Sequence, residues 1–251
     1  MPGNPVIEAV IEVIQPDWPA PANIRAFTTT RKGGVSQTPW KSLNLGGNCG
    51  DDPRHVEENR RRLQQLLPGK PYWLKQVHGT SVVTLDSEDL PQQDADACVA
   101  NTAGKVCAIL TADCLPVLFC NEAGTKVAAA HAGWRGLANG VLEATVAAMD
   151  CNPSELLAWL GPAIGPNAFE VQQDVYDTFC TNNPDHAVAF RPHRDRWLAD
   201  LYELARLALA KVGVDQVSGG RYCSYSDEEN FFSYRRDGAT GRMATLVWIS
   251  H

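Results

Sequence analysis

The chain has 251 residues, of which 44% are hydrophobic and 20% charged, and its formal net charge is −7. A chain of this length and composition buries a substantial core, in one large domain or two small ones. The negative charge argues against a nucleic-acid-binding protein, because such proteins present a basic surface to the phosphate backbone. No apolar run approaches the length that crosses a bilayer, so a membrane partner is not expected.

The N-terminal residues and the cysteines both favour a cytoplasmic protein. The first residues, Met1-Pro2-Gly3-Asn4-Pro5, lack the basic and apolar regions of a secretory signal. The eight cysteines include no Cys-x-x-Cys pair. In a chain of this length without an export signal, we expect the thiols to stay reduced.

Predicted strands and helices are interspersed along the whole chain. Short apolar runs predict strands at residues 6–11, 24–29, 106–110, 116–119, 127–130, 156–160 and 245–249. Asp52 and Pro53 are typical of a helix start, and a second helix is predicted from Gly136 to Met149. The first helix is predicted to bury Val56, Leu63, Leu66 and Leu67.

Helical spacing returns twice towards the C-terminus. The first instance covers Val171, Val175 and Phe179, and the second covers Leu201, Leu204, Ala208 and Val212. The chain shows no repeat and no long linker, so we expect a single α+β domain over residues 1–251.

Three residues stand out as candidates for metal binding. His78 and His131 each follow a strand-like run and precede a glycine within two positions, and Cys114 interrupts two apolar runs next to Pro116. Two imidazoles and a thiolate suit zinc and leave a fourth position for water or substrate. Bound zinc lowers the pKa of its water to about 7. Asp113 is a candidate for orienting a ligand or carrying a proton.

Residue chemistry alone leaves simpler interpretations open. A single His or Cys beside a strand is more often a packed residue than a ligand, and the separations match no short zinc signature. The turns at 30–36 and 131–136 combine glycines with Arg31 and Arg135 and suit phosphate, but ordinary turns favour the same residues. The aromatic and basic segment around Phe232 and Arg235 suits a flat base or a plain strand equally well.

Seven segments in order resemble one known family. They are TRKGGVS (30–36), SLNLG (42–46), QVHG (76–79), TADCLP (111–116), HAGWRG (131–136), GPAIG (161–165) and FSYRR (232–236). Together they resemble the YfiH-like family, also called the laccase-domain or polyphenol oxidase family, over nearly the whole chain after Ile24. Its members are regarded as multifunctional purine nucleoside phosphorylases.

The resemblance implies a fold and an activity. The fold is a single mixed-sheet domain layered as an α/β/β/α sandwich. The activity is phosphorolysis of adenosine, inosine and methylthioadenosine by inorganic phosphate, together with deamination of adenosine. Two departures, Phe169 in place of a common Tyr and Gln172 in place of a frequent Gly, bear on substrate preference and leave the metal ligands unchanged.

The resemblance also assigns the metal ligands, since it implies zinc held by His78, Cys114 and His131. The other roles are hypotheses drawn from the residues themselves. Asp113, Cys114 and Arg135 are the expected catalytic residues. Arg31, Gln76, Phe232 and Arg235 are the expected substrate contacts, and a monomer is favoured.

Three other functions stay open on the sequence. A copper-dependent polyphenol oxidase (laccase) shares a His-Cys-His donor set, but it needs further histidine-rich copper sites, and this chain has six histidines. A cysteine hydrolase that edits peptidoglycan precursors would use Cys114 as nucleophile with a histidine base. A non-enzymatic module would hold zinc in a closed site, with Cys223 or Asp113 as fourth ligand.

Overall fold

The computed structural model describes residues 10–85, 92–181 and 183–251. In these residues the strands are β1 (Val13–Ile14), β2 (Ile24–Thr29), β3 (Pro71–Trp73), β4 (Val82–Thr84), β5 (Ala97–Ala100), β6 (Val106–Thr111), β7 (Leu115–Asn121), β8 (Val127–Ala132), β9 (Leu156–Leu160), β10 (Glu170–Val171), β11 (Phe190–His193), β12 (Arg196–Ala199), β13 (Gln216–Gly219) and β14 (Met243–Ile249). The α-helices are α1 (Pro53–Gln64), α2 (Trp134–Asn139), α3 (Val141–Met149), α4 (Gln173–Cys180), α5 (Leu201–Lys211) and α6 (Tyr234–Asp237).

Two sheets packed against each other form the centre of the fold. One has the strand order β1-β2-β14-β6-β3 and the other β13-β9-β7-β8-β5-β4. Ile109, Leu118, Trp159 and Val247 belong to the apolar layer between them. Helices α2 to α5 cover the outer face of the second sheet, and α1 packs through Leu63 on the outer face of the first. This arrangement confirms the expected α/β/β/α layering.

Burial on both faces explains the apolar runs of the central strands. Every residue of β7 is buried. Val117 and Phe119 face the helices, whereas Leu118 and Cys120 face the other sheet. A strand covered on both sides gains no stability from polar alternation, so its sequence is continuously apolar. Among the described residues, no helix has the length and apolar character that spanning a membrane requires.

The chain changes sheets between β6 and β7. Strand β6 pairs with β14 and β3 in the first sheet, while β7 pairs with β8 and β9 in the second. The crossing residues Ala112, Asp113 and Cys114 therefore lie where the two sheets meet. Because Cys114 lies at the ends of strands in both sheets, its thiol is available to a cleft.

Several predicted elements need correction. The helix predicted from Gly136 to Met149 is two helices, because Gly140 adopts a left-handed φ of +91° that caps α2 and starts α3. Val171 lies in strand β10 instead of the following helix. Leu66 is 47% exposed, since α1 ends at Gln64 and helical spacing no longer applies. Val212 is the C-cap of α5.

The remaining predicted elements are observed. The helix start at Pro53, capped by Asp52, and the strands at 24–29, 106–110, 116–119, 127–130, 156–160 and 245–249 are confirmed. Of the first predicted strand, at 6–11, residues 6–9 lie outside the described residues. Its last two positions, Val10 and Ile11, are not in a strand, and β1 begins at Val13.

Asn59 attaches α1 to the loop that follows β2. Its buried amide nitrogen donates to Ser36 Oγ (2.9 Å) and to the carbonyl of Asn44 (2.8 Å), and its oxygen accepts from the N–H of Val35 (2.9 Å). Residues 30–52 form no strand, and this side chain satisfies backbone groups of the loop that no strand partner reaches.

Replacing Asn59 with Ala is expected to lower the free energy of unfolding by about 2–3 kcal/mol, because buried backbone groups lose their partners. Chemical denaturation measures this loss. Glu57→Ala, on the exposed side of the same helix, serves as the control and is expected to stay within about 0.5 kcal/mol of the parent. Equal stability of the two variants would contradict the attachment role.

Candidate metal centre and cleft

His78, Cys114 and His131 converge in space. Their potential ligand atoms all lie within 4.8 Å of one another. Cys114 Sγ lies 3.9 Å from His78 Nε2, and the two imidazole centroids are 4.8 Å apart. His131 lies in β8, Cys114 at the crossing between sheets, and His78 in the connection after β3. Three donors that are far apart in the sequence therefore form one cluster.

The local structure around His78 differs from the sequence prediction. Strand β3 ends at Trp73, and His78 lies in a turn with a φ of +61°. A left-handed φ is uncommon for a residue other than glycine and needs support from its surroundings. The support is Asp96, whose carboxylate accepts hydrogen bonds from the N–H groups of Val77 (3.1 Å), His78 (2.9 Å) and Gly79 (2.6 Å).

The same carboxylate orients the second histidine. Asp96 Oδ1 lies 2.7 Å from His131 Nδ1, and the Asp96 carbonyl accepts from the His131 N–H. An ionised carboxylate only accepts hydrogen bonds, so His131 Nδ1 carries the proton and its Nε2 is free to bind a metal. Asp96 is fully buried. Burial opposes its ionisation, but the hydrogen bonds from His131 and from the backbone hold its pKa below the usual value.

Sequence reasoning missed Asp96 and placed the orienting carboxylate at Asp113. Asp96 immediately precedes β5, which pairs with β8 in a register that sets Ala97 opposite Ala130. That register brings Asp96 beside His131. Knowing that the two strands are neighbours would have identified it, but no local motif carries this information.

Gly133 lets the backbone pass directly against the cluster. A Cβ at this position would lie 3.0 Å from Cys114 Sγ and 3.1 Å from His78 Cδ2. Both contacts are tighter than ordinary van der Waals packing, so a side chain here would displace two of the three donors. This close approach explains the first glycine of the HAGWRG segment at 131–136.

The charges within the cluster favour a thiolate. Burial opposes ionisation of Cys114, but the charge of His131 and hydrogen bonds from both histidines lower its pKa to about 6. Burial likewise disfavours protonated His131, but the Cys114 thiolate and Asp96 raise its pKa to about 9. Without a metal these shifts favour a thiolate beside a protonated His131. Zinc takes thiolate and neutral imidazole as ligands, so a bound ion would replace the proton on His131 Nε2. The donor set and its orientation therefore fit a three-ligand metal site.

The cluster opens into a cleft of about 780 Å³. Gln76, Asp113, Arg135 and Arg235 also line this cleft. The Arg135 guanidinium lies 4.3 Å over the ring of Trp134 and hydrogen-bonds to no described residue. Arg235 lies 5.4 Å over Phe169 and donates through Nη1 to the Glu170 carbonyl. Both guanidinium groups thus have N–H donors left for a ligand.

Asp113 positions Arg235. Its carboxylate accepts from Ser224 Oγ (2.7 Å) and from the backbone N–H of Arg235 (2.6 Å), and its own φ is +94°. These bonds hold the start of α6 against the crossing between the sheets. The role in moving a proton stays a prediction.

Two of the four expected substrate residues, Arg31 and Phe232, do not line the cleft, and a third, Gln76, lines it with its amide engaged. Both polar atoms of the Gln76 side-chain amide bond to the backbone of Leu110 at 2.8 Å, although the residue lines the cleft. Phe232 is fully buried, and Arg31 lies 4.8 Å over its ring instead of reaching the cleft. Arg31 donates to the carbonyls of Lys41 and Glu228.

No fourth protein ligand joins the cluster within the described ranges. Neither Asp113 nor Cys223 belongs to it. Cys223 Sγ instead accepts from the Gly165 N–H at 3.2 Å. The closed structural site considered from the sequence is therefore not formed by these two residues.

Comparison with known proteins identifies the family of this chain. Residues 25–250 match the family model described as multi-copper polyphenol oxidoreductase laccase. The purine nucleoside phosphorylase YfiH of Escherichia coli is 57% identical over 95% of this chain and 99% of its own. A purine nucleoside phosphorylase of Pseudomonas aeruginosa is 55% identical over 94% of this chain and 98% of its own.

Solved structures show the same fold. A Neisseria meningitidis protein superposes with a TM-score of 0.90 at 54% identity, covering 95% of this chain and 99% of that one. YlmD from Geobacillus stearothermophilus gives a TM-score of 0.85 at 32% identity, covering 92% and 93%. The chain therefore belongs to the laccase-domain, or YfiH-like, family, whose curated relatives are named purine nucleoside phosphorylases.

Proposed function

We propose that this protein is a zinc-dependent purine nucleoside phosphorylase that acts on adenosine, inosine and methylthioadenosine and also deaminates adenosine. The observation that carries the proposal is the cluster of His78, Cys114 and His131 in a cleft with two guanidinium groups free to bind phosphate. The names of the relatives support the reaction class.

Zinc is the metal that suits these donors best. Two imidazole nitrogens and one thiolate sulfur are common zinc ligands, and three protein ligands leave one position open. When bound, the ion supplies a Lewis acid and water of lowered pKa. The family description mentions several coppers, whereas the described residues bring together one such cluster. We therefore propose a single zinc.

Arg135 and Arg235 bind the phosphate in this proposal. A guanidinium group offers paired N–H donors that match two phosphate oxygens. Each side chain lies over an aromatic ring, Trp134 or Phe169, which limits its freedom before the anion arrives. Asp113 holds the backbone of Arg235 in place for this contact.

In phosphorolysis a phosphate oxygen forms a bond to C1′ of the ribose while the bond from C1′ to the purine nitrogen breaks. The purine leaves with the electron pair of that bond and is neutralised by a proton, and ribose 1-phosphate is released. Tyr234, 62% exposed and lining the cleft, replaces buried Phe232 as the aromatic candidate for stacking on the base.

One observation also favours the cysteine hydrolase as a second candidate. The Cys114 thiol has a pKa of about 6 and lies beside two histidines. A thiolate paired with an imidazole is the arrangement of cysteine nucleophiles. An amide of a peptidoglycan precursor would be the substrate in that case.

The first test is incubation of metal-analysed protein with adenosine, with and without inorganic phosphate. Adenine and ribose 1-phosphate are expected only when phosphate is present, and inosine in both cases. Cys114→Ala is expected to lose bound zinc and both activities together, because it removes the only sulfur ligand of the cluster. Cys49→Ser alters another thiol that lines the cleft and should retain both. A metal-free Cys114→Ala variant with full turnover would defeat the proposal.

The second test concerns Asp96. Asp96→Asn is expected to weaken zinc binding by about 10–100-fold, because an amide no longer orients His131 and the 77–79 turn together. Competition with a chelator measures the affinity independently of turnover. Asp94→Asn removes an exposed carboxylate two residues away that pairs with Lys75 at 2.8 Å. Equal zinc affinities for the two variants would rule out the orienting role.

The third test separates the metal role of Cys114 from the nucleophile role. A thiol alkylates as its thiolate, so alkylation of Cys114 in zinc-stripped protein should rise through a midpoint near pH 6. Mass spectrometry of the Cys114 peptide follows the reaction, and added zinc should protect it. Alkylation that stops turnover while zinc stays bound would instead favour the hydrolase.

A further inference from the structure

The cleft carries more positive charge than one phosphate requires. Four arginines line it without a carboxylate partner among the described residues: Arg60, Arg135, Arg235 and Arg242. The other cation, Lys75, pairs with Asp94 at 2.8 Å. On a chain of net charge −7 this concave surface is locally positive and attracts anions.

Two of these arginines flank a glycine turn that the proposed reaction leaves unused. A Cβ on Gly46 would lie 2.7 Å from Arg242 Cγ, and one on Gly47 would lie 3.8 Å from Arg60 Nη2. Leu45 connects them, since its carbonyl accepts from Arg60 Nε and Nη2 and its N–H donates to the Arg242 carbonyl. The turn and the two side chains therefore form one unit.

This unit has free donors. Among the described residues, Arg60 Nη1 has no hydrogen-bond partner, and Arg242 uses only Nη1, on the carbonyls of Thr240 and Gly241. The backbone N–H groups of Gly47 and Asn48 donate to no described residue, although both residues line the cleft. Guanidinium and bare amide groups on one turn are the donors that hold phosphate oxygens.

The unit lines the same cleft as the metal cluster. Arg242 precedes β14, whose Met243 pairs with Thr111 just before the crossing that carries Cys114. Arg60 lies 4.5 Å over Trp73, and with Gly47 these residues also line a second cavity of about 690 Å³ beside α1. Burial lowers the pKa of the Arg60 guanidinium from its ordinary value, and the group stays charged at neutral pH.

We propose that Arg60, Arg242 and the Gly46–Asn48 turn bind a phosphate carried by the nucleoside itself, so that nucleoside 5′-phosphates are ligands of this cleft. This assignment rests on the proposed function, which places the nucleoside next to the metal cluster and free phosphate at Arg135 and Arg235. A neutral nucleoside would leave this second anion site without a ligand.

Calorimetry of the zinc-loaded protein in phosphate-free buffer tests the assignment. Adenosine 5′-monophosphate is expected to bind about ten-fold more tightly than adenosine, and the difference should shrink at high salt. Arg60→Gln and Arg242→Gln should each weaken binding of the nucleotide about ten-fold while changing adenosine binding little. Either variant suffices if the other fails to fold.

Arg54→Gln is the matched control, since it removes an arginine from the exposed side of the same helix and should change neither affinity. Equal binding of nucleotide and nucleoside would overturn the assignment. The assignment would also be overturned if the Arg60 variant bound both ligands more weakly to the same extent. A competition between inorganic phosphate and the nucleotide that depended on Arg135 alone would overturn it as well. Adenosine phosphorolysis by the same preparation tests the proposed function separately.

Discussion

The carboxylate of Asp96 connects two segments that the chain keeps far apart, the turn at 77–79 and strand β8. It accepts hydrogen bonds from three backbone N–H groups on one side and from the His131 ring on the other. Removing it would free both histidines at once. Because the group is fully buried, its charge is stable only while all of these donors are present, so the turn, the strand and the carboxylate depend on one another.

The two sheets provide the rest of the site. The chain crosses from one sheet to the other at Ala112–Cys114. The strand ends at this crossing are also where His131 lies, near the end of β8. Gly133 then brings the backbone against the thiol and His78. Sheet packing, the Asp96 carboxylate and one glycine thus position the three donors, which gives a more rigid site than loop residues alone provide.

Local patterns predicted most of the fold correctly. Continuous apolar runs identified the central strands because those strands are covered on both faces. The break at Gly140 escaped prediction because helical spacing continues across it, and only the left-handed φ shows the interruption. The convergence of the three donors agreed with expectation. Asp96 was missed, as were the cleft-lining residues Arg60, Arg242 and Tyr234, since their positions depend on strand pairing and on packing between distant segments.

Several substrate contacts expected from the sequence differ from those that the geometry favours. Arg31 and Phe232 contact each other away from the cleft, and Gln76 bonds to β6. Such residues stabilise the loops that surround the site, so a motif can be shared for structural reasons as well as for binding. Arg135 keeps its expected phosphate role in our proposal, and Arg235 takes the place of Arg31, each held over an aromatic ring.

The most direct measurement of the central claim is X-ray absorption at the edge of the metal in the purified protein. An account based on His78, Cys114 and His131 predicts a zinc edge with one sulfur at about 2.3 Å, two nitrogens at about 2.0–2.1 Å and an exchangeable oxygen. A metal shell without sulfur, or one filled by four protein ligands, would contradict it.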